Sequence, residues 1–116
     1  MLKKIHYQTK LKFIHQIPDV ENLVDKGCEV PHEHDSVIKI TVPIMDNEFI
    51  DFKTVKIACE SVLDKMRDKN ITDLFGLGMT EQLVEYLSKE IGILLNKKIG
   101  VYIQETPKYG MEYVSD

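Results

Sequence analysis

Apolar side chains recur at every second residue in two segments of the N-terminal half of the chain. Between positions 7 and 17 the odd positions form one such series: Leu11, Phe13, His15 and Ile17. A second segment runs to about position 45, and its even positions form another: His32, His34, Ser36, Ile38 and Ile40. A strand directs alternate side chains to one face, so both series predict half-buried strands. Each predicted strand carries histidine at one end of its apolar face.

The rest of the chain predicts two helices followed by two strands. Asp51 can cap a first helix that ends before Asn70, and Thr80 can cap a second. The apolar stripe of the first is Phe52, Val55, Cys59, Val62 and Met66. That of the second is Leu83, Val84, Leu87, Ile91 and Leu94. Residues 101–106 and 111–114 predict a hairpin, whereas residues 19–31 lack periodicity and predict a loop.

This order predicts one α+β domain over residues 1–116, with a ββααββ arrangement. Its four-stranded antiparallel sheet would carry both helices on one face and leave the other uncovered. The sequence pattern predicts apolar residues on both faces of the strands, and a small sheet with two apolar faces needs a partner. The sequence analysis therefore predicts a homo-oligomer that buries the second face or closes the strands into a larger barrel.

Composition excludes several classes of partner. The formal net charge is −4, and the lysines are scattered among 19 acidic residues, which argues against a nucleic-acid partner. The N-terminal residues lack the apolar run of a signal peptide, and no stretch has membrane-spanning length, so we expect no membrane contact and a cytoplasmic location. In that reducing compartment Cys28 and Cys59 are expected to be free thiols.

The histidine spacing predicts a metal site. In His32-x-His34 a strand directs both imidazoles to one face, and His15 is the natural third ligand; His6 is left over. A catalytic zinc has three protein ligands and an open position, and Cys28 nearby would be a base or nucleophile. Two alternatives remain at this point. The histidines can be solvated or hydrogen-bonded imidazoles, or they can form a closed structural zinc site together with Cys28.

These residues resemble the 6-pyruvoyl-tetrahydropterin synthase family, including the bacterial 6-carboxytetrahydropterin synthases of the queuosine pathway. The resemblance covers nearly the whole chain. Its landmarks are His15, Cys28 four residues before His32-x-His34, Phe49-Ile50-Asp51-Phe52, Lys69-Asn70 and Glu105-Thr106. It implies a tunnelling fold, in which trimers close a barrel from their sheets, two trimers stack into a hexamer, and active sites lie between subunits.

The resemblance also implies residue roles. His15, His32 and His34 would hold Zn²⁺, Cys28 would be the catalytic base, and the substrate would be 7,8-dihydroneopterin triphosphate. Glu105 would anchor the pterin, because a carboxylate accepts two hydrogen bonds from pterin N–H groups. Thr80 resembles the threonine that opens the second helix of the family and is a further substrate-binding candidate. For Glu105 and Thr80 the plainer alternatives are an exposed strand carboxylate and a helix cap.

The chain departs from the family after the first helix. The family has an Asp-His pair there, whereas this chain has Arg67-Asp68. Asp68 can replace the histidine in proton transfer, with Arg67 holding the loop or a phosphate oxygen. Alternatively, a one-residue shift places Asp68 and Lys69 in the two roles. The third hypothesis is a protein that binds metal and pterin without turnover, or with an altered activity.

Overall fold

A computed structural model describes residues 3–16 and 31–114. Four strands form one antiparallel sheet in the order β1-β2-β3-β4, and three helices accompany it. The elements in chain order are β1 (Lys3–His15), β2 (His32–Ile44), α1 (Phe52–Leu63), α2 (Ile71–Phe75), α3 (Thr80–Leu95), β3 (Gly100–Gln104) and β4 (Gly110–Val114). The predicted α+β class and the antiparallel sheet are confirmed, and α2 is an additional short helix.

The long hairpin of β1 and β2 fixes which side chains share a face. The strands pair along their full length, from Lys3 opposite Ile44 to His15 opposite His32. The face toward the helices contributes buried apolar residues from three strands: Leu11, Phe13, Ile38, Ile40, Val42, Val101 and Ile103. The predicted alternation is therefore observed, and it places the histidines at one end of the apolar core.

The two long helices cover this face of the sheet. Asp51 caps α1 as predicted, since its side chain accepts a hydrogen bond from the Lys53 N–H. Most of the two predicted stripes is buried, but Phe52 and Leu94 are 74% and 57% exposed. These two assignments are wrong, because the sheet covers a narrower arc of each helix than the apolar pattern indicates. Cys59 is a buried free cysteine, in agreement with the sequence analysis.

The short helix α2 lies between the two predicted helices, in a segment for which the sequence analysis predicts no helix or strand. Asn70 caps it by accepting hydrogen bonds from the N–H groups of Thr72 and Asp73. Gly76 ends it with φ of 71°, a left-handed conformation that glycine adopts without steric cost. A helix of five residues has too little periodicity to be detected by its pattern, which explains the omission.

The face of the sheet away from the helices is more polar than the sequence analysis assumed. On β1 it consists mainly of charged and polar residues: Lys4, His6, Gln8, Lys10 and Lys12. Lys12 forms a salt bridge of 3.4 Å with Glu33 on β2. The assumption that both faces of this strand are apolar is therefore wrong, and the predicted oligomer no longer follows from it. Among the described residues, no helix is both long and apolar enough to cross a membrane.

Candidate active site

Three histidines lie together at the end of the β1–β2 hairpin. His15 on β1 is directly opposite His32, and His34 lies two residues further along β2, opposite Phe13. Side chains that are opposite or diagonal on one sheet face are close enough to interact. The ring centroid of His15 lies 4.5 Å from that of His32 and 4.9 Å from that of His34. One potential ligand atom from each of the three rings falls within 4.8 Å of the other two.

One hydrogen bond fixes the tautomer of His15. Its Nδ1 lies 3.0 Å from the carbonyl oxygen of Gly78, which can only accept, so Nδ1 carries the proton. The lone pair is then on Nε2, which is buried and has no hydrogen-bond partner among the described residues. Burying a polar atom without a partner is costly. An imidazole held in this way, with its free lone pair toward two other histidines, is typical of a metal ligand.

The surroundings of His15 keep it neutral. Its pKa is lowered from 6.5 to about 4, mainly by burial and also by electrostatic repulsion from His32 and His34. A neutral imidazole is the form that binds a metal ion. Phe13 packs against this cluster, with its ring stacked on His34 at a centroid distance of 5.7 Å. The donor set therefore fits a dication such as Zn²⁺, which accepts three histidines and a further ligand.

The turn before α3 connects this cluster to the predicted substrate residues. Gly78 holds His15, and two residues later the hydroxyl of Thr80 donates a hydrogen bond to Oε1 of Glu105. The structure therefore brings Thr80 and Glu105 together. The cap of α3 is Met79, so the prediction that Thr80 caps this helix is wrong by one residue. Glu105 follows the last residue of β3 and is half-buried, which differs from the exposed strand carboxylate of the alternative hypothesis.

A small open cavity lies beside Thr80 and Glu105. Its volume is about 200 Å³, and Glu81, Tyr109 and Met111 also line it. A larger groove of about 650 Å³ lies near the other end of α3, between residues such as Ser88, Lys97 and Tyr113. We place the candidate site at the smaller cavity, because it is lined by Glu105. Glu105 accepts a hydrogen bond from Thr80, and Thr80 follows the Gly78 carbonyl that holds His15 by two residues.

Arg67 points away from the histidines. Its guanidinium pairs with Glu60 at 2.7 Å and with Asp64, and it donates a hydrogen bond of 3.3 Å to the Lys10 carbonyl. Glu60 also accepts a hydrogen bond of 2.6 Å from the Tyr7 hydroxyl. Of the two functions suggested for Arg67, these contacts support the first, holding the loop to β1.

Asp68 lies on the same loop and is exposed. It has φ of 59°, and its backbone N–H donates a hydrogen bond of 2.7 Å to the carbonyl of Lys12. Lys12 precedes His15 by three residues, about 10 Å along a strand. The structure therefore does not bring Asp68 into the histidine cluster. The role of Lys69 in proton transfer likewise stays a prediction, and Cys28 lies outside the described residues.

Two residues of the site were missed by the sequence analysis. Gly78 accepts the hydrogen bond of His15, and the side chain of Gln82 accepts hydrogen bonds from the N–H groups of Gly78 and Met79. Gln82 stands three residues after the cap, a position where Glu or Gln commonly reaches back to the helix start. The sequence therefore contained a signal for the role of Gln82. It contained none for the contact between Gly78 and His15, which are 63 residues apart.

Comparisons with known proteins agree with this geometry. The sequence model of the 6-pyruvoyl tetrahydropterin synthase family matches residues 4–116. The solved structure of 6-pyruvoyl tetrahydropterin synthase from Caenorhabditis elegans matches with a TM-score of 0.81 at 18% identity, covering 100% of this chain and 97% of that chain. A search of curated proteins gave no match.

Two further solved structures have the same fold. A catalytic-residue mutant of Plasmodium vivax 6-pyruvoyltetrahydropterin synthase matches with a TM-score of 0.70 at 11% identity, covering 97% of both chains. An uncharacterized protein from Wolinella succinogenes matches with a TM-score of 0.66 at 13% identity, covering 100% of this chain and 99% of that chain. At these identities the likeness establishes the fold.

Proposed function

Because the chain belongs to the 6-pyruvoyl tetrahydropterin synthase family, we propose that it is a zinc-dependent pterin synthase acting on 7,8-dihydroneopterin triphosphate. The observation that carries this proposal is the cluster of three histidines, in which His15 is held by Gly78 with Nε2 left unpartnered. The product is 6-carboxytetrahydropterin or 6-pyruvoyl-tetrahydropterin, because both reactions start from the same substrate and need the same residues.

The histidines would hold the ion through neutral imidazoles. His15 contributes Nε2, because its Nδ1–H is engaged with Gly78. Zinc at this position supplies Lewis-acid chemistry, stabilising the charge that develops on a substrate oxygen when a neighbouring proton is removed. The closed structural zinc site is the weaker alternative, since a continuous core of buried apolar residues already connects the sheet to the helices.

Glu105 would orient the pterin. The hydroxyl of Thr80 donates to its Oε1, which fixes the carboxylate at the edge of the cavity. A carboxylate accepts hydrogen bonds from the amino and ring N–H groups of a pterin, and an ionised acceptor makes these bonds stronger than neutral ones. Tyr109 and Met111 provide apolar surface in the same cavity. Thr80 thereby takes part in substrate binding by holding the anchor in place.

Cys28 would remove the proton. A thiolate is the reactive form of cysteine, and a neighbouring cation favours it. The other thiol is unsuited to this role, because burial raises the pKa of Cys59 to about 12. Cys59 also lies in the hydrophobic core. Cys28 is therefore our choice for the base, and a role of Asp68 in proton transfer stays a prediction.

We also propose that the chain forms a trimer or hexamer through the edges of its sheet. Among the described residues, hydrogen bonds from Arg67 and Asp68 and to Lys69 occupy the outer edge of β1 toward its C-terminal end, at Lys10, Lys12 and Ile14. Within the described residues, β1 and β4 are the two edge strands of the sheet. Unpaired edges are ready to pair with another chain, and such pairing would close sheets into a barrel. Light scattering after size-exclusion chromatography measures the assembly.

A second function is favoured by one observation. Arg67 and Asp68, which stand where the family has its Asp-His pair, contact β1 rather than the histidine cluster. A chain that lacks an acid-base partner at the metal would bind metal and pterin without the family reaction. This alternative predicts tight binding of the substrate and no release of triphosphate.

The decisive experiment is turnover of 7,8-dihydroneopterin triphosphate by the zinc-loaded protein. Triphosphate release and the mass of the pterin product are followed for the wild type, Cys28→Ala and Cys59→Ala. We expect a 6-carboxy or 6-pyruvoyl product with the wild type and Cys59→Ala, and none with Cys28→Ala. No release by zinc-loaded wild type would refute the synthase and favour the binding protein.

A further inference from the structure

The first turn of α3 is held by the side chain of Gln82. Its Oε1 accepts two backbone hydrogen bonds of 3.0 Å, from the N–H groups of Gly78 and Met79. The carbonyl of Gly78 accepts the hydrogen bond of 3.0 Å from Nδ1 of His15. One exposed glutamine side chain is therefore connected to a buried metal-ligand candidate through a single turn of backbone.

The connection runs through one peptide group. The N–H of Met79 and the C=O of Gly78 belong to the same planar unit, and in a trans peptide they point in opposite directions. Gln82 engages the N–H side of this plane, and His15 engages the C=O side. Rotation of the plane would break both hydrogen bonds. Because Gly78 has no side chain, its own backbone torsions restrict this rotation less than those of another residue would.

We propose that Gln82 is a positioning residue for the metal site: it fixes the Gly78–Met79 peptide, and this peptide orients His15 so that Nε2 faces His32 and His34. The proposal rests on the proposed function insofar as the three histidines hold a metal. Partners that orient a ligand histidine through its second nitrogen contribute measurably to metal affinity, typically 10- to 100-fold. Hydrogen bonds in a chain also polarise one another, which strengthens the Gly78 carbonyl as an acceptor.

A role in helix capping alone predicts a different outcome. Glutamine at this position caps many helices, so its loss lowers stability in any case. Asp51 provides the matched control, because its side chain caps a different helix, α1, by accepting a hydrogen bond from the Lys53 N–H. If Gln82 only caps a helix, then removing either cap lowers the free energy of unfolding, and both variants bind the metal with the same affinity as each other.

The test measures Zn²⁺ affinity by competition with a chromophoric chelator, on full-length protein under native conditions. Gln82→Met keeps the length of the side chain but removes the amide oxygen, and Gln82→Glu restores an acceptor. We expect Gln82→Met to bind Zn²⁺ about tenfold more weakly than the wild type. Gln82→Glu and Asp51→Ala are expected to bind with wild-type affinity. The visible spectrum of the Co²⁺-loaded protein should change only in Gln82→Met.

A double-mutant cycle with His15→Ala shows whether the effect passes through this histidine. In that background Gln82→Met should cause no further loss of Zn²⁺ affinity, since the positioned ligand is gone. The proposal would be overturned if Gln82→Met caused as large a loss of Zn²⁺ affinity in the His15→Ala background as in the wild type. Wild-type affinity in Gln82→Met, or an equally large loss in Asp51→Ala, would also overturn it. Absence of Zn²⁺ binding by the wild type itself would instead overturn the proposed function together with this inference.

Discussion

His15 and His32 lie directly opposite each other on adjacent antiparallel strands, with ring centroids 4.5 Å apart. The strands that carry them pair without interruption over 13 residues each, so their relative position is set by the register of the whole hairpin. A slip of β2 by one residue would direct His32 and His34 to the face opposite that of His15. The relative placement of the three histidines is therefore set by the sheet rather than by contacts among their rings.

Replacement of His15 with alanine should weaken Zn²⁺ binding strongly and leave only the residual affinity of His32 and His34. We expect the affinity to fall at least about 100-fold, because structural zinc sites with four ligands gain roughly 10–16 kcal/mol, or a few kcal/mol for each ligand. Competition titration with a chelator measures the change. His6→Ala is the control, since His6 lies on the other face of the sheet and contacts Thr41. A large loss with His6→Ala would contradict the proposed ligand set.

Removal of the metal should leave the chain folded. The sheet and helices share a continuous core of buried apolar residues, which includes Leu11, Ile40, Leu87 and Ile103. Far-ultraviolet circular dichroism of the protein treated with chelator should match that of the zinc-loaded protein at 25 °C. The melting temperature should fall by a few degrees, because a ligand that binds only the native state stabilises it. Complete unfolding on chelation would favour the closed structural zinc site.

Replacement of Glu105 with glutamine should weaken pterin binding while leaving the metal in place. A hydrogen bond to a charged group contributes about 1.5–3 kcal/mol, so KM should rise roughly 10- to 100-fold. Steady-state turnover and Zn²⁺ titration measure the two effects. Glu85→Gln, an exposed carboxylate on α3, is the matched control and should leave KM unchanged. A loss of Zn²⁺ in Glu105→Gln would place this carboxylate at the metal instead.

Replacement of Arg67 with alanine should lower stability and leave the metal affinity unchanged. The change removes a charge-assisted contact with the partly buried Glu60 and a weaker, solvent-screened one with the exposed Asp64, for which we expect a loss of about 1–2 kcal/mol in the free energy of unfolding. Urea denaturation measures it, with Lys65→Ala as an exposed control expected within about 0.5 kcal/mol of wild type. Lost turnover with unaltered stability would instead place Arg67 in the chemistry.

The contribution of Glu60 should depend on pH. Burial alone would raise the pKa of this carboxyl, but hydrogen bonds from Tyr7 and Arg67 and the charge of Arg67 together hold it below the ordinary value of 4.5. A depressed folded-state pKa stabilises the protein above the unfolded-state pKa, and this stabilisation is lost as the pH falls through the folded-state value. The stability difference between wild type and Glu60→Gln should therefore be largest near neutral pH.

That difference should shrink below pH 4.5, the ordinary value of this carboxyl. Urea midpoints of the two proteins, compared between about pH 6 and about pH 3, measure the trend. A difference that is constant over this range would show that Glu60 has the same pKa in the folded and unfolded chain.

The sequence alone determined the strands, the two long helices and the candidate ligands. Alternation of apolar residues is a local property, so Leu11, Phe13 and His15 could be assigned to one face without knowledge of their partners. The same local logic gave the cap at Asp51. It failed at Phe52 and Leu94, because the arc of a helix that becomes buried depends on what packs against it.

Only the tertiary structure decided what each candidate contacts. The bond from His15 to Gly78 joins residues 63 positions apart, and the bond from Thr80 to Glu105 joins residues 25 apart. The same holds for Arg67, whose guanidinium donates a hydrogen bond to the carbonyl of Lys10 on β1, 57 residues away in the chain. Hydrophobic periodicity specifies which way a side chain faces along its own element. The packing of distant elements specifies its partners, and these partners determine tautomer, charge and orientation.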